Sequence, residues 1–217
     1  MNNVLKAAKL DFSLVKPYTW NMLFSMLFPV VFSLMNRSLV YGVSFTMCFI
    51  GMTASYTFTI SEKNGMERLY AVLPISRKHM VLGRYLYTCV LGLMALLITL
   101  IVQSIVFGFV LDIDITVEDI IAAALTGMIM FTVYAVFMLP GYYKFGSIKG
   151  RFFMFVPLAG YFAVVIFSSE LDIKNSRVLS AILGDPVLFT AVILIICIIA
   201  FAVSIAVSVH ILKNKDV

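Results

Sequence analysis

The sequence predicts an all-α, polytopic membrane protein with six transmembrane helices. Hydrophobic residues make up 62% of the chain, charged residues make up only 12%, and the mean hydropathy is +1.06. A soluble domain has roughly 25% charged residues, and a water-soluble core of this size could not bury so much apolar surface. We therefore expect lipid to solvate much of residues 1–217, which we interpret as a single transmembrane domain.

The spacing of the apolar runs defines the individual elements. A helix needs roughly 20 mostly apolar residues to cross a bilayer, and six runs approach or exceed that length without an Asp, Glu, Lys or Arg in the middle. Pro186 precedes the last run and suits the first turn of a helix, where a missing N–H costs nothing. The predicted spans are 18–36, 39–60, 85–111, 119–142, 152–168 and 187–211.

Orientation follows from the position of the basic residues. Residues 1–17, 61–84, 143–151 and the tail after 211 contain three, five, three and two of the 16 Lys and Arg. Because Lys and Arg stay on the cytoplasmic side of a membrane, both termini are predicted to be cytoplasmic. Basic charge that is scattered between spans, instead of gathered in one patch, argues against a nucleic-acid partner. The opposite segments are mostly acidic: Asp112, Asp114, Glu118, Asp119, Glu170, Asp172 and Asp185, with only Arg37, Lys174 and Arg177 as basic residues.

Residues 1–17 are predicted to form a partly amphipathic helix. Its polar residues share one sector, and its apolar residues cluster on the opposite side, where Asp11 interrupts them. Such a helix is expected to lie flat at the cytoplasmic interface with its lysines toward anionic headgroups. The alternative is a solvated leader with snorkelling lysines. The two sets are Lys6, Lys9, Ser13 and Lys16, and Leu5, Ala8, Phe12 and Val15.

Several kinds of chemistry are absent from the sequence. It has no GxxxxGK(S/T) motif to hold a nucleotide, no carboxylate or histidine in the interior of a predicted span to relay ions, and no GxSxG or HExxH motif. The two histidines are far apart and the three cysteines occur singly, so no metal site is predicted. We predict no enzyme activity and no cofactor in this chain, and as a transporter it would need energy from another subunit.

The inner segment 61–86 carries the most specific pattern. A short helix is predicted over Met66–Leu73, beginning after Gly65 and ending before Pro74, and the next helix can begin at Ser76. Its mixed apolar and charged face suits a groove on a partner and the transfer of a mechanical push. The alternative is a solvated basic loop.

The same segment resembles the first inner loop of ABC-2 type transporter permeases. At two positions, Met66 and Arg84, this chain departs from the threonine and the lysine that are common in the family. The six predicted spans and the amphipathic N-terminal helix extend the resemblance over the whole chain. The matching runs are Glu62-Lys63-x-Gly65-x-Glu67-x-Leu69, Leu73-Pro74-Ile75-Ser76-Arg77 and Gly83-Arg84-Tyr85-Leu86.

The resemblance implies a type V exporter-like architecture, in which this segment is a cytoplasmic coupling helix docked on a separate ABC ATPase subunit that binds ATP and Mg. It also implies a dimer with a second copy or a sister permease, in a bacterial plasma membrane. Within the family, the sequence is most similar to small permeases that export amphipathic or antimicrobial peptides, such as the phenol-soluble modulins of staphylococci. Permeases for bacitracin-type resistance have a similar size and overall sequence character. The residues assigned to ATPase coupling are Glu62, Gly65, Glu67, Arg68, Leu69, Tyr70, Leu73, Pro74 and Arg77.

A stripe of small, weakly polar residues follows one face of the second predicted span. The resemblance implies that the second and fifth spans of a dimer meet around the conduit, and span five is rich in aromatic residues. An alternative is that small residues simply let two helices approach closely. The residues assigned to the substrate pathway are Ser44, Cys48, Gly51, Ser55, Phe155 and Tyr161.

The leading functional hypothesis is the permease subunit of an ATP-driven exporter of amphipathic peptides. A non-transporting membrane scaffold or assembly factor is the main alternative, and it would need no conduit. An intramembrane enzyme would need a buried catalytic set that the predicted spans do not contain. A passive channel would conduct without ATP.

Overall fold

The computed structural model describes residues 2–25, 27–66, 76–157, 159 and 186–214. Within these ranges all regular secondary structure is helical, as predicted. Two 3-10 turns, Lys16–Tyr18 and Arg151–Met154, join longer helices. The α-helices are α1 (Asn2–Val15), α2 (Thr19–Ser25), α3 (Leu27–Asn36), α4 (Leu39–Thr53), α5 (Tyr56–Lys63), α6 (Arg77–Val110), α7 (Val117–Gly150) and α8 (Pro186–Lys213).

Five stretches of the described chain are long and apolar enough to cross a membrane. Apart from Leu111 and Val187, they cover the predicted spans one, two, three, four and six, which supports a multi-pass membrane protein. The predicted span 152–168 lies largely outside the described residues, and the total of six spans stays a prediction. The five stretches are Asn3–Asn36, Leu39–Lys63, Arg77–Val110, Val117–Pro157 and Leu188–Lys213.

The second membrane stretch lies at the centre of the described bundle. In its most apolar window 67% of the residues are buried, against 17% in that of Leu188–Lys213. Helix α4 packs chiefly against α7, which also contacts α8, while α1 packs against α6. Apolar side chains that point away from this core are widely exposed, as lipid solvation requires. The centre of the core is formed by Val43, Met47 and Ile50 of α4 with Ala135, Met138 and Leu139 of α7.

The predicted span 39–60 is not one continuous helix, because the chain tightens between α4 and α5. Thr53, Ser55 and Thr57 each donate a side-chain hydrogen bond to the carbonyl three residues earlier, at 2.7–3.0 Å. The backbone N–H of Phe58 donates to Ser55 O at 3.1 Å, which is a 3-10 pattern. Hydroxyls that bond back to the preceding turn bend helices, and this accounts for the interruption.

The connection after the fourth span is shorter than predicted. Residues 143–151 were expected to link two spans, but they are helical on both sides of Gly146, whose φ of 76° and ψ of −175° reverse the chain. The Arg151–Met154 turn then folds back on α7, where the rings of Phe145 and Phe153 stack with centroids 5.4 Å apart. Glycine alone tolerates this backbone conformation. The change of chain direction is therefore made at a single residue, Gly146, without a separate loop.

The residues of the predicted lysine sector are exposed, and helix α1 has a buried face, although Leu5 and Phe12 of the predicted apolar side are also exposed. Lys6, Lys9, Ser13 and Lys16 are exposed, whereas Ala7, Asp11 and Val15, spaced four residues apart, are buried. The helix crosses α6 at Gly83, where an added Cβ would lie 2.5 Å from the Cβ of Ala7. Its location at a membrane interface stays a prediction.

Candidate functional site

One end of the bundle gathers the flanks of the predicted coupling segment. We call it the basic end, defined by the C-terminal ends of α5 and α8, the N-terminal end of α6 and the reversal at Gly146. The basic end also carries α1, which packs on α6 and α5. Four sets of polar contacts connect these elements.

The first contact joins Glu62, in the last turn of α5, to Ser147. The backbone N–H of Ser147 donates to Glu62 Oε1 at 2.7 Å, and the Ser147 hydroxyl donates to Oε2. Ser147 begins the helical segment after Gly146, and a carboxylate at the start of a helix satisfies free N–H groups and favours the dipole. Gly146 is required here for a second reason, because an added Cβ would lie 2.9 Å from Glu62 Oε1.

The turn after α5 is formed by Gly65. It has a φ of 60°, its N–H donates to Glu62 O at 3.1 Å, and an added Cβ would meet no atom within 4 Å. This is the left-handed residue that commonly ends a helix. Helix α5 therefore ends at Lys63, just before the segment predicted to form the coupling helix.

The coupling helix itself lies outside the described residues. Residues 67–75 contain six of the nine residues assigned to ATPase coupling, and their role stays a prediction. They are Glu67, Arg68, Leu69, Tyr70, Leu73 and Pro74.

The second contact fixes the exit from this segment. Helix α6 begins at Arg77, directly after Ser76, as predicted. Arg77 Nη1 donates to the carbonyl oxygen of Leu212 in the last turn of α8, at 3.2 Å. A cation at a helix C-terminus satisfies a free carbonyl and complements the dipole. The two flanks of the segment are thus attached to α7 through Glu62 and to α8 through Arg77.

The third contact is a buried ion pair that the sequence did not reveal. Arg84 Nε and Nη2 each lie 3.2 Å from a carboxylate oxygen of Asp11, and Nη2 also donates to Ser61 Oγ at 3.3 Å. The guanidinium stacks over the ring of Phe58, 4.3 Å from its centroid, and faces Tyr143 at 5.9 Å. Arg84 therefore joins α1, α5, α6 and α7.

One signal in the sequence pointed to this pair. Asp11 interrupts the apolar side of a predicted amphipathic helix, and a carboxylate in such a position needs a partner. Its partner could not be chosen from sequence, because Arg84 is 73 residues away.

The fourth contact set connects α6 with α8. The Tyr85 hydroxyl shares hydrogen bonds with Ser204 at 2.6 Å and Ser208 at 2.9 Å, and Ser204 donates to Val136 O of α7 at 3.0 Å. Tyr85, Ser204 and Ser208 are all buried. Helices α6, α7 and α8 are thereby joined about two turns along α6 from the Arg77 contact.

The assigned pathway residues fall into two groups. Ser44, Cys48, Gly51 and Ser55 are buried within this chain. Their stripe packs against α7, since an added Cβ at Gly51 would lie 2.8 Å from the Cβ of Tyr134. This is the close helix packing of the alternative interpretation, and a pathway role stays a prediction. Phe155 is 62% exposed, and Tyr161 lies outside the described residues.

A family comparison decides what kind of membrane protein carries this site. Residues 8–213 match the model of the ABC-2 family transporter protein. The chain belongs to the ABC-2 transporter family. It is therefore a permease component of an ABC transporter, in a family whose members typically pair with an ATPase subunit. No curated protein and no solved structure matches this ABC-2 permease.

Proposed function

We propose that this ABC-2 permease is the membrane subunit of an ATP-driven exporter that moves amphipathic peptides out of a bacterial cell. It works as a dimer, with a second copy or a sister permease, and with two copies of a separate ATPase that bind ATP and Mg. The observation that carries the proposal is the attachment of both flanks of residues 67–75, through the Glu62–Ser147 and Arg77–Leu212 hydrogen bonds.

These attachments supply a route for mechanical force. A push on residues 67–75 by closing ATPase subunits acts on the end of α5 and on the start of α6. Glu62 passes the displacement to the reversal at Gly146, and Arg77 passes it to the end of α8. Because packed helices have discrete arrangements and do not deform continuously, the basic end moves as a unit.

The interruption between α4 and α5 provides the bending point. Its 3-10 turn and back-bonded hydroxyls lie between the basic end and the stripe from Ser44 to Gly51. A short 3-10 stretch within a helix often marks a hinge. Helix α5 can therefore begin to tilt while α4 stays packed on α7. Helix α4 moves only when its contact between Gly51 and Tyr134 of α7 separates.

The residues assigned to the substrate pathway favour an amphipathic peptide as the cargo. In the described spans, the faces assigned to the pathway carry hydroxyl, thiol and aromatic groups and no fixed charge. Ser44, Cys48, Gly51 and Ser55 line the conduit once α4 leaves α7, together with Phe155 and Tyr161 of the fifth span. Such a surface suits an amphipathic chain better than an ion. In the plasma membrane, the basic end and both termini face the cytoplasm.

The test begins with purification of the complex. The permease is co-purified with its cognate ATPase in nanodiscs, and hydrolysis is measured with and without an amphipathic peptide. We expect a stable complex and peptide-stimulated hydrolysis. Failure to form a complex under mild conditions contradicts the proposal.

A charge swap then tests residues 67–75 directly. Glu67→Arg combined with Arg68→Glu is expected to leave the permease folded and to abolish stimulation. Asp114→Arg, at the opposite end of the bundle, is the matched control and is expected to retain it. Undiminished stimulation in the swapped protein removes the coupling role from this segment.

A further inference from the structure

An apolar groove made of two adjoining cavities runs along the outside of the bundle between α2 and α6. Its inner part is a cavity of 340 Å³ that includes Lys16, Thr19, Tyr87 and Val90, and its outer part is a cavity of 300 Å³ that includes Trp20. The two cavities share the lining residues Leu23 and Ile98 and therefore adjoin each other. We call it the α2–α6 groove.

The shape of the α2–α6 groove restricts its occupant. Along α6 it extends from Tyr87 to Gln103, which is about 24 Å at 1.5 Å per residue. A bilayer leaflet contributes about 15 Å of hydrocarbon. The groove is therefore long enough to span one leaflet and to extend past the middle of the bilayer. A single acyl chain fits the apolar character of the groove and would occupy the part of it that lies within one leaflet.

The charge at one end selects the headgroup. Lys16 lies at the junction of α1 and α2, where the groove meets the basic end, and its side chain is exposed. Among the residues that the structure describes, none that lines the groove is acidic, and the nearby carboxylate of Asp11 is paired with Arg84. Lys6 and Lys9 add two exposed positive charges on the same helix. A ligand that matches both the positive charge of Lys16 and the apolar groove must combine an anionic group with an acyl chain.

We infer that the α2–α6 groove binds an anionic phospholipid from the leaflet at the basic end. The headgroup phosphate pairs with Lys16, and one acyl chain lies against Val90, Leu23 and Ile98. Under the proposed topology this is the cytoplasmic leaflet. A free phosphate would use Lys16 but gain nothing from the apolar channel, so a lipid is the occupant.

Trp20 provides an intrinsic probe of this site. It is the only tryptophan of the chain and lines the groove with 77% of its surface exposed. The permease is reconstituted in phosphatidylcholine vesicles that contain a rising fraction of either brominated phosphatidylglycerol or brominated phosphatidylcholine. Bromine on an acyl chain quenches indole fluorescence on contact. The quenching curves give the relative association constant of the two lipids.

We expect phosphatidylglycerol to bind about fivefold more tightly than phosphatidylcholine, which corresponds to one basic residue near an anionic headgroup. Lys16→Gln is expected to abolish the difference, whereas Lys9→Gln, on an exposed lysine outside the groove, is expected to keep most of it. Val90→Phe is expected to weaken quenching by narrowing the channel. Leu93→Phe, similarly exposed on α6 but outside the groove, is its control.

Three results overturn the inference. Equal quenching by both lipids means that Trp20 meets only the unselective lipid shell. An equal effect of Lys16→Gln and Lys9→Gln means that diffuse surface charge attracts the lipid. No quenching by either lipid means that protein covers the groove.

Discussion

Arg84 and Asp11 form a bidentate ion pair in which both side chains are buried, with two N–O distances of 3.2 Å. The pair holds α1 against α6, and Ser61 and the ring of Phe58 complete the surroundings of the guanidinium. It is the central connection of the basic end, since Arg84 contacts residues of three other helices.

Removing one partner of this pair should destabilise the protein more than removing both. Asp11→Ala removes the carboxylate that faces the buried Arg84 guanidinium, and removing one partner of a buried ion pair costs about 3–5 kcal/mol. Replacing both partners by apolar residues, as in Asp11→Leu with Arg84→Met, is expected to recover most of that loss. The free energy of unfolding is measured by SDS titration in mixed micelles. Lys9→Ala, on the exposed face of α1, is the control, and a single variant as stable as this control would contradict the prediction.

The Glu62–Ser147 contact is expected to affect coupling rather than assembly. Glu62→Ala removes both hydrogen bonds, whereas Ser147→Ala keeps the one from the backbone N–H. We expect peptide-stimulated ATPase activity to fall severalfold in Glu62→Ala and less in Ser147→Ala, with the complex still formed. Lys63→Ala, at the exposed neighbouring position, should retain stimulation. The reverse order of the two variants would show that the side-chain contact does not transmit force.

Gly146 and Gly65 allow a comparison of two positive-φ glycines. Gly146→Ala is expected to cost about 1–3 kcal/mol of unfolding free energy, because its backbone lies in a region that only glycine populates and a Cβ would press on Glu62. Gly65→Ala has open space and should cost about 1 kcal/mol. Measuring the unfolding free energy of both variants with and without Glu62→Ala separates the cost of the backbone conformation from the cost of the contact with Glu62. Relief by Glu62→Ala is expected for Gly146→Ala only.

A disulfide between α4 and α7 distinguishes an exporter from a scaffold. Gly51→Cys and Tyr134→Cys bring two thiols together, because the Cβ positions lie 2.8 Å apart before adjustment and disulfides need about 3.5–4.5 Å. The background carries Cys48→Ala, Cys89→Ala and Cys197→Ala. Oxidation is expected to stop peptide transport, and reduction of the same sample should restore it. Transport that survives complete oxidation would show that the small residues of α4 serve helix packing and do not line a substrate pathway.

The sequence predicted the elements whose signals are local. Apolar runs located the described spans, Ser76 and Pro186 were correctly placed at helix starts, and the lysine sector of α1 is exposed. Each of these depends on spacing within a few turns of helix, and such spacing can be read directly from the residues.

Other features depend on distant partners or on a single torsion angle. The pairing of Asp11 with Arg84 and of Arg77 with the end of α8 joins residues far apart in sequence. Gly146 has no neighbouring sequence cue that separates a reversal from an ordinary helical glycine. The bend between α4 and α5 depends on which hydroxyls turn back to the chain, and Ser and Thr side chains also point elsewhere in many helices.

The Asp11–Arg84 pair also restricts how the chain is made. A ribosome adding roughly 5–20 residues per second needs about 4–15 s to synthesise the 73 positions that separate the two residues. During that interval the Asp11 carboxylate lacks its partner Arg84, and a charged group without its partner is costly to bury. Helix α1 can therefore take up its final contact with α6 only after Arg84 has been made, so the first helix of the chain packs well after it has been synthesised.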